Sequence, residues 1–382
     1  MKKLIYILNQ YSNKEGSHFY HILSLLEEIA KNGVDIKLII EKATDIPHFN
    51  IPNIEVIAQK QSGIKRPIEL FGILKKLHKQ GYKKSFIRIS QNGAIPAILV
   101  SKLYGGEVYF WQSGTTHEIE KKKAFDLKKF LKSELPFSIV KRFTTYFVTG
   151  PESMLEYYEK VVGVKKEKLV CLYNDIDISR FSNIDEDEKN RLKQELEIDV
   201  NKKVILFVKR MSKIKGILFY SPFIIEQNKK LLREQNYICY YLGDGSEKEE
   251  LERQIVAKNL DDIVKIIGNK PNKDIQKYYQ LADIFINPTL EEGFPRVLIE
   301  AMASGLPTVT TNAGGTADIV GKLQAEFMVD IQDKEGFAIK LKKLIENKDM
   351  QRKLADENIN QVKKFSTQSV AKMYIKEIFK ND

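Results

Sequence analysis

Short apolar, β-branched runs alternate along the chain with amphipathic stretches of helical period. Runs at 4–8, 36–40, 86–89, 108–111 and 145–148 are bounded by polar or turn-forming residues and predict buried strands. Between the first two, a helix is predicted over 17–32, with Phe19, Ile22, Leu23, Leu26 and Ile29 on one face. Gly33 follows where a left-handed C-cap residue belongs. The pattern restarts at 204–208 and continues through 238–242, 264–267, 284–287 and 308–310. Strands that alternate with helices build parallel sheets covered on both faces, so the expected class is α/β. The acidic, turn-rich SNIDEDEK at 182–189 marks the expected boundary, with one domain over 1–182 and a second over 183–365. A last helix over 370–379 follows a second domain that is already complete, which assigns 366–382 back to the first.

Composition narrows the class. At roughly 150 residues per domain, 382 residues are compatible with two. Apolar residues at 43% and charged residues at 30% exclude a disordered chain, and a cysteine count of 2 excludes a disulfide scaffold. Cys171 and Cys239 sit in apolar runs, as buried thiols in a reducing compartment do, and neither has zinc-ligand spacing. The longest apolar runs, near 95–100, fall far short of the roughly 18–20 residues that a spanning helix needs. MKKLIYIL imitates a secretory leader until Asn9 and Gln10 end its apolar stretch, so a first strand in a cytoplasmic protein is expected.

Charge is distributed unevenly. Residues 1–150 hold 24 basic and 13 acidic side chains while 151–382 hold 38 of each, so the net +11 belongs to the first domain. Its densest part is 121–142, where Lys121, Lys122, Lys123, Lys128, Lys129, Lys132, Lys141 and Arg142 interleave with Phe125, Leu127, Phe130 and Leu131. A solvated helix face fits this pattern. So does a surface resting on anionic lipid headgroups, where each cation contributes about 1 kcal/mol. A nucleic-acid partner is not expected, because no recognition motif accompanies the charge and the aromatic residues form no stacking platform.

The chemistry concentrates in NPTLEEGFPRVLIEAMASGLPTVTTNAGGTA, residues 287–317. A strand ends near Asn287, a loop holds Glu291, Glu292 and Gly293, and a helix opens near Pro295, a residue favoured at the first helical position. The amides of Arg296 and Val297 then form an anion site at a helix N-terminus. Glu300 follows Glu292 by eight positions, about 12 Å along a helix axis. Carboxylates so placed suit the vicinal hydroxyls of an elongated ligand.

EEGFPRVLIEAMASGLPTV resembles the signature of the retaining, GT-B-fold glycosyltransferases of glycosyl transferases group 1, also called glycosyltransferase family 4. FVKRMSKIKG, YLGDGSEKEELE, IIGNK, LADIFINP and CLYNDIDISRF resemble further segments of that family, most specifically over about 170–320. The resemblance implies two Rossmann-like domains facing a central cleft, with the C-terminal helix crossing back to the first. It implies transfer of a sugar from a nucleotide-diphosphate donor, a UDP- or GDP-sugar, to an acceptor. With the basic first domain, a glycan or lipid-linked acceptor and a peripheral place on the inner face of the cell membrane are expected. A nucleotide-sugar epimerase of the same fold and a non-catalytic basic binding protein are the alternatives.

The resemblance also distributes roles. Arg210 and Lys215 are expected to hold the donor diphosphate, Glu292 the sugar hydroxyls and Glu300 the ribose. Gly293, Phe294, Pro295, Arg296 and Val297 are expected to line the phosphates and sugar, and Gly268 and Asn269 to lie near the base. Pro295 stands where many family members have Gly, at the cost of one amide. Gly16 is the first-domain approach to the phosphates, with Ser113, His117 and His18 as acceptor-side candidates. WQSGTTHE departs from the family's usual first-domain histidine. Asp175–Asp177 and Asp185–Asp187 imitate a metal-binding D-x-D but do not follow a nucleotide-binding strand. No essential metal or other cofactor is expected, since the cations and helix dipole take over that electrostatic role.

Overall fold

The computed structural model describes residues 1–12, 20–112 and 133–382. The chain divides into two compact units, one comprising Met1–Asp175 with Thr367–Asp382 and the other Ile176–Ser366.

The first unit holds a parallel sheet of β1 (Lys2–Tyr11), β2 (Val34–Ala43), β3 (Ile54–Ala58), β4 (Lys84–Arg88), β5 (Glu107–Trp111), β6 (Tyr146–Thr149) and β7 (Leu169–Cys171). Their spatial order is β3-β2-β1-β4-β5-β6-β7. Alternation along β1 and β4 sends Ile5, Ile7 and Ile87 to one face, where Leu70, Leu74, Ala94, Ala97 and Val140 from three helices cover them. Tyr6, Phe86 and Tyr109 belong to the other alternation and receive the C-terminal helix Thr367–Ile378. There the Phe86 and Tyr374 ring centroids are 5.3 Å apart, and Tyr109 donates to the Ile378 carbonyl at 3.1 Å.

The second unit repeats the plan with β8 (Lys203–Val208), β9 (Tyr237–Leu242), β10 (Val264–Gly268), β11 (Ile284–Asn287), β12 (Thr308–Thr311) and β13 (Met328–Val329), in the order β10-β9-β8-β11-β12-β13. Ile205, Phe207, Cys239, Tyr241 and Ile286 pack against Tyr220 and Ile224 of helix Ile217–Glu234 and Phe337 and Leu341 of helix Lys334–Glu346. Cys171 and Cys239 are not joined in a disulfide, and Cys239 is buried.

Three strands have no counterpart in the expected set: β3, β7 and β13, each on a sheet edge. The acidic stretch at 182–189 is the start of a helix, Glu186–Glu195, in the second unit. The Asp185 carboxylate caps the Glu188 amide at 2.8 Å, and three acidic residues occupy the first turn, where the dipole favours them. The chain passes between units at Asp175/Ile176 and at Ser366/Thr367, whereas the acidic run had placed the first boundary after residue 182.

Candidate active site

The site is built at the carboxyl ends of the second unit's strands. β8 ends at Val208, and Lys209, Arg210 and Met211 lead into the turn Lys213–Lys215 ahead of helix Ile217–Glu234. The Lys209 amide donates to Leu242 O at 3.0 Å and the Met211 amide to Asp244 O at 2.9 Å, laying this loop against the turn after β9. That approach requires Gly243, whose φ is +133° and where a Cβ would fall 2.0 Å from the Lys209 carbonyl oxygen. Gly314, at φ +55°, does the same beneath the acidic loop, where a Cβ would fall 2.0 Å from the Glu292 carbonyl oxygen.

A cavity of about 560 Å³ opens at these loops. Its walls are Lys209 and Arg210, the turn Gly243–Gly245, Asn269 and Lys270 after β10, and Ile275 and Val297 from two helix starts. Val297 lies in the first turn of helix Arg296–Ala303, which has no side-chain cap. Amides of a first turn lack intrahelical acceptors and, with the dipole, favour an anion. Pro295 is the residue before this helix rather than its first member. Its ψ of 89° lies outside the helical region, so Pro295 precedes the helix instead of opening it.

Glu292 is held between two lysines. Its Oε2 accepts from Lys209 Nζ at 2.7 Å and from Lys215 Nζ at 3.2 Å. Lys215 also donates to the Glu291 carbonyl at 2.9 Å. Lys209 donates to Asn287 Oδ1 at 2.8 Å, and the Asn287 amide donates to Thr310 Oγ1 at 3.0 Å, which fixes the amide's orientation. The Lys209 side chain is only 6% exposed. Burial would raise the Glu292 carboxyl, but the charges and hydrogen bonds of Lys209 and Lys215 outweigh it and hold the group below its ordinary range. Burial pushes the Lys209 ammonium down, with Glu292 opposing.

Glu300 stands in different surroundings. Its Oε2 accepts from Tyr279 Oη at 3.0 Å. Burial pushes its carboxyl up, against the opposing charge of Arg296 and the Tyr279 hydrogen bond. Burial, together with the negative charge of Glu300, pushes the Tyr279 hydroxyl well above its usual value.

Of the residues expected from sequence, Arg210, Asn269 and Val297 share the cavity, and Lys215 meets Glu292 behind Lys209. Gly268 ends β10, its carbonyl accepting from Gly243 N at 2.9 Å. The Gly293 carbonyl accepts from Gly315 N at 2.8 Å. Phe294 turns inward, 8% exposed, edge-on to Phe365, so only its backbone is available to a ligand. Gly16, His18, Ser113, His117 and the lysines of 121–132 lie outside the described residues. Lys209 was not among the expected residues. Its signal is a cation placed immediately after the apolar run 204–208, inside a segment with two cations already assigned.

Residues 188–361 match the family model described as Glycosyl transferases group 1. The 2-deoxystreptamine N-acetyl-D-glucosaminyltransferase of Niallia circulans is 34% identical over 158 residues, 41% of this chain and 39% of that protein. A D-inositol 3-phosphate glycosyltransferase of Corynebacterium kroppenstedtii is 26% identical over 239 residues, 61% of this chain and 51% of that protein. The chain thus spans about half or less of the length of these curated relatives. The structure of Anabaena HepE, described as a complex with UDP and glucose, superposes over 100% of both chains with a TM-score of 0.73 at 19% identity. The fold is therefore the α/β GT-B fold, and residues 188–361 are similar to the glycosyl transferases group 1 family.

Proposed function

We propose that this chain transfers a sugar from a nucleotide-diphosphate donor to an acceptor hydroxyl. The observation that carries the reading is the cavity bordered by Lys209, Arg210 and the Val297 turn, with Lys215 and Glu292 immediately behind it. Cations and first-turn amides there stabilise the charge that develops on a departing diphosphate. Arg210 offers a planar fork to phosphate oxygens and Lys215 a point charge.

The transfer retains configuration in this proposal. The bond between the anomeric carbon and the β-phosphate oxygen breaks, and the acceptor oxygen bonds to the same face. The acceptor proton passes to the leaving phosphate, so no side-chain nucleophile is required. Glu292 orients the sugar hydroxyls, Glu300 the ribose, and no metal is needed. The donor is a UDP- or GDP-sugar.

The acceptor is a glycan or lipid-linked saccharide, met by a cytoplasmic enzyme that rests peripherally on an anionic membrane. What supports this is a mixed face on the first unit. Leu99, Leu103, Tyr104 and Phe143 are exposed there, with Lys75 over the Tyr104 ring and Lys102 over the Phe143 ring. Among the described residues no helix is long and apolar enough to cross a membrane.

Calorimetric titration with UDP, GDP and ADP in EDTA tests the donor site. One nucleotide binds in the micromolar range, and Arg210→Ala weakens it by roughly 10–100-fold, the loss of one charge-assisted hydrogen-bonding group. Saturation that requires added divalent metal would sink the metal-free reading.

A further inference from the structure

We propose that Lys209 is a positioning residue, the fixed counterion of Glu292, whose task is to release Lys215 for the donor diphosphate. The proposal rests on the donor-site reading above. Glu292 Oε2 is shared by two ammonium groups of unequal freedom. Lys209 is 2.7 Å away, 6% exposed, and tied at its other side to Asn287 Oδ1 at 2.8 Å. Asn287 is in turn locked by Thr310, so this ammonium has a built socket and no room to follow a ligand.

Lys215 is the looser partner, at 3.2 Å and 20% exposed, on the turn just before Gly216. If it were the only partner of Glu292, drawing it toward phosphate would leave a carboxylate 14% exposed with no compensating charge, a costly arrangement. Lys209 removes that conflict, because Glu292 stays paired and oriented when Lys215 turns away. The charge count agrees. Lys209, Arg210 and Lys215 against Glu292 leave two positive charges for a diphosphate, while Asp244 at the cavity wall is paired with Lys248 at 3.9 Å.

The test separates positioning from packing. Lys209→Met keeps the length and volume of the side chain but leaves Lys215 as the sole counterion of Glu292. Its affinity for whichever of UDP, GDP or ADP the wild-type chain binds falls about tenfold or more. Adding Glu292→Gln removes the carboxylate that captures Lys215, and the double variant recovers affinity to within about threefold of wild type. Lys209→Arg, which keeps the counterion, binds more tightly than Lys209→Met. Near-ultraviolet circular dichroism confirms that each variant is folded. Wild-type affinity in Lys209→Met, or a double variant no tighter than that single one, overturns the proposal. Absence of binding to any of the three nucleotides by the wild-type chain overturns the donor-site reading, and the proposal with it.

Discussion

Glu292 and Glu300 stand eight positions apart in one motif, yet their carboxyls are driven in opposite directions. Two lysines keep Glu292 ionised, and burial beside a tyrosine hydroxyl brings Glu300 closer to protonation. For Glu292, with its folded value depressed, the stabilisation is fully present above the ordinary glutamate value and lost as pH falls through the depressed one. For Glu300, with its folded value raised, stability declines as pH rises through the ordinary value, and the decline is complete above the raised one. On acidification Glu300 therefore protonates first, and one of its two acceptor oxygens becomes a hydrogen-bond donor. Nucleotide affinity is expected to fall on a limb above the ordinary glutamate range. Glu300→Gln should bind weakly at neutral pH and show no such limb when titrated by calorimetry between neutral and acidic pH. Tyr279→Phe, which removes one hydrogen-bond donor, should weaken binding by about tenfold or less. A limb unchanged in Glu300→Gln would assign it elsewhere.

This division was half visible in the sequence. The spacing of Glu292 and Glu300, and the cations Arg210 and Lys215, were readable because they fall in a dense motif. Lys209 was not, because its partner lies 83 positions away and only the fold brings the two to 2.7 Å. Tyr279 was hidden for the same reason: a tyrosine in a short helix reads as core until Glu300 is placed beneath it.

At the scale of elements, the strands legible in the sequence are chiefly those buried on both faces, such as β1, β4 and β9. An edge strand pairs on one side only and needs less apolar length. β3 is mostly half-exposed beyond Ile54, β7 has three residues and β13 two. The acidic helix Glu186–Glu195 was obscured by its own cap, because a capping Asp and an acidic first turn look like a linker when read by composition alone. The loops between strands carry the sharper prediction. Gly243→Ala forces an L-residue into φ +133° and drives a Cβ onto the Lys209 carbonyl, which cannot yield without moving both cations. Nucleotide affinity should drop more than tenfold in calorimetry, with a stability loss of about 1–3 kcal/mol in urea titration. A variant that binds normally would show that the loop contact is not what places Lys209 and Arg210. Gly314→Ala should do the same through Glu292.

At the scale of the whole molecule, the two units differ in how the chain makes them. The second is a continuous segment, Ile176–Ser366, with its own core. The first is discontinuous and includes Thr367–Asp382, whose Tyr374 is fully buried against Phe86 and whose Phe379 is 6% exposed. Losing one such ring costs roughly 3–5 kcal/mol, and losing the whole helix costs more. A chain stopped after Ser366 should keep a cooperative melting transition for the second unit and lose that of the first. Two intact transitions in calorimetry would show that the helix is dispensable.

That discontinuity gives synthesis an order. The strands β1 to β7 leave the ribosome first, but the face formed by Tyr6, Phe86 and Tyr109 waits for a helix translated some two hundred residues later. At about 5–20 residues per second, an aromatic surface stays uncovered for on the order of ten seconds or more while the second unit emerges and folds. During that interval the earlier-made half is the one that a chaperone would engage and that a neighbouring nascent chain would capture. Stalled synthesis near residue 366 should therefore yield aggregates seeded by the half that was made first.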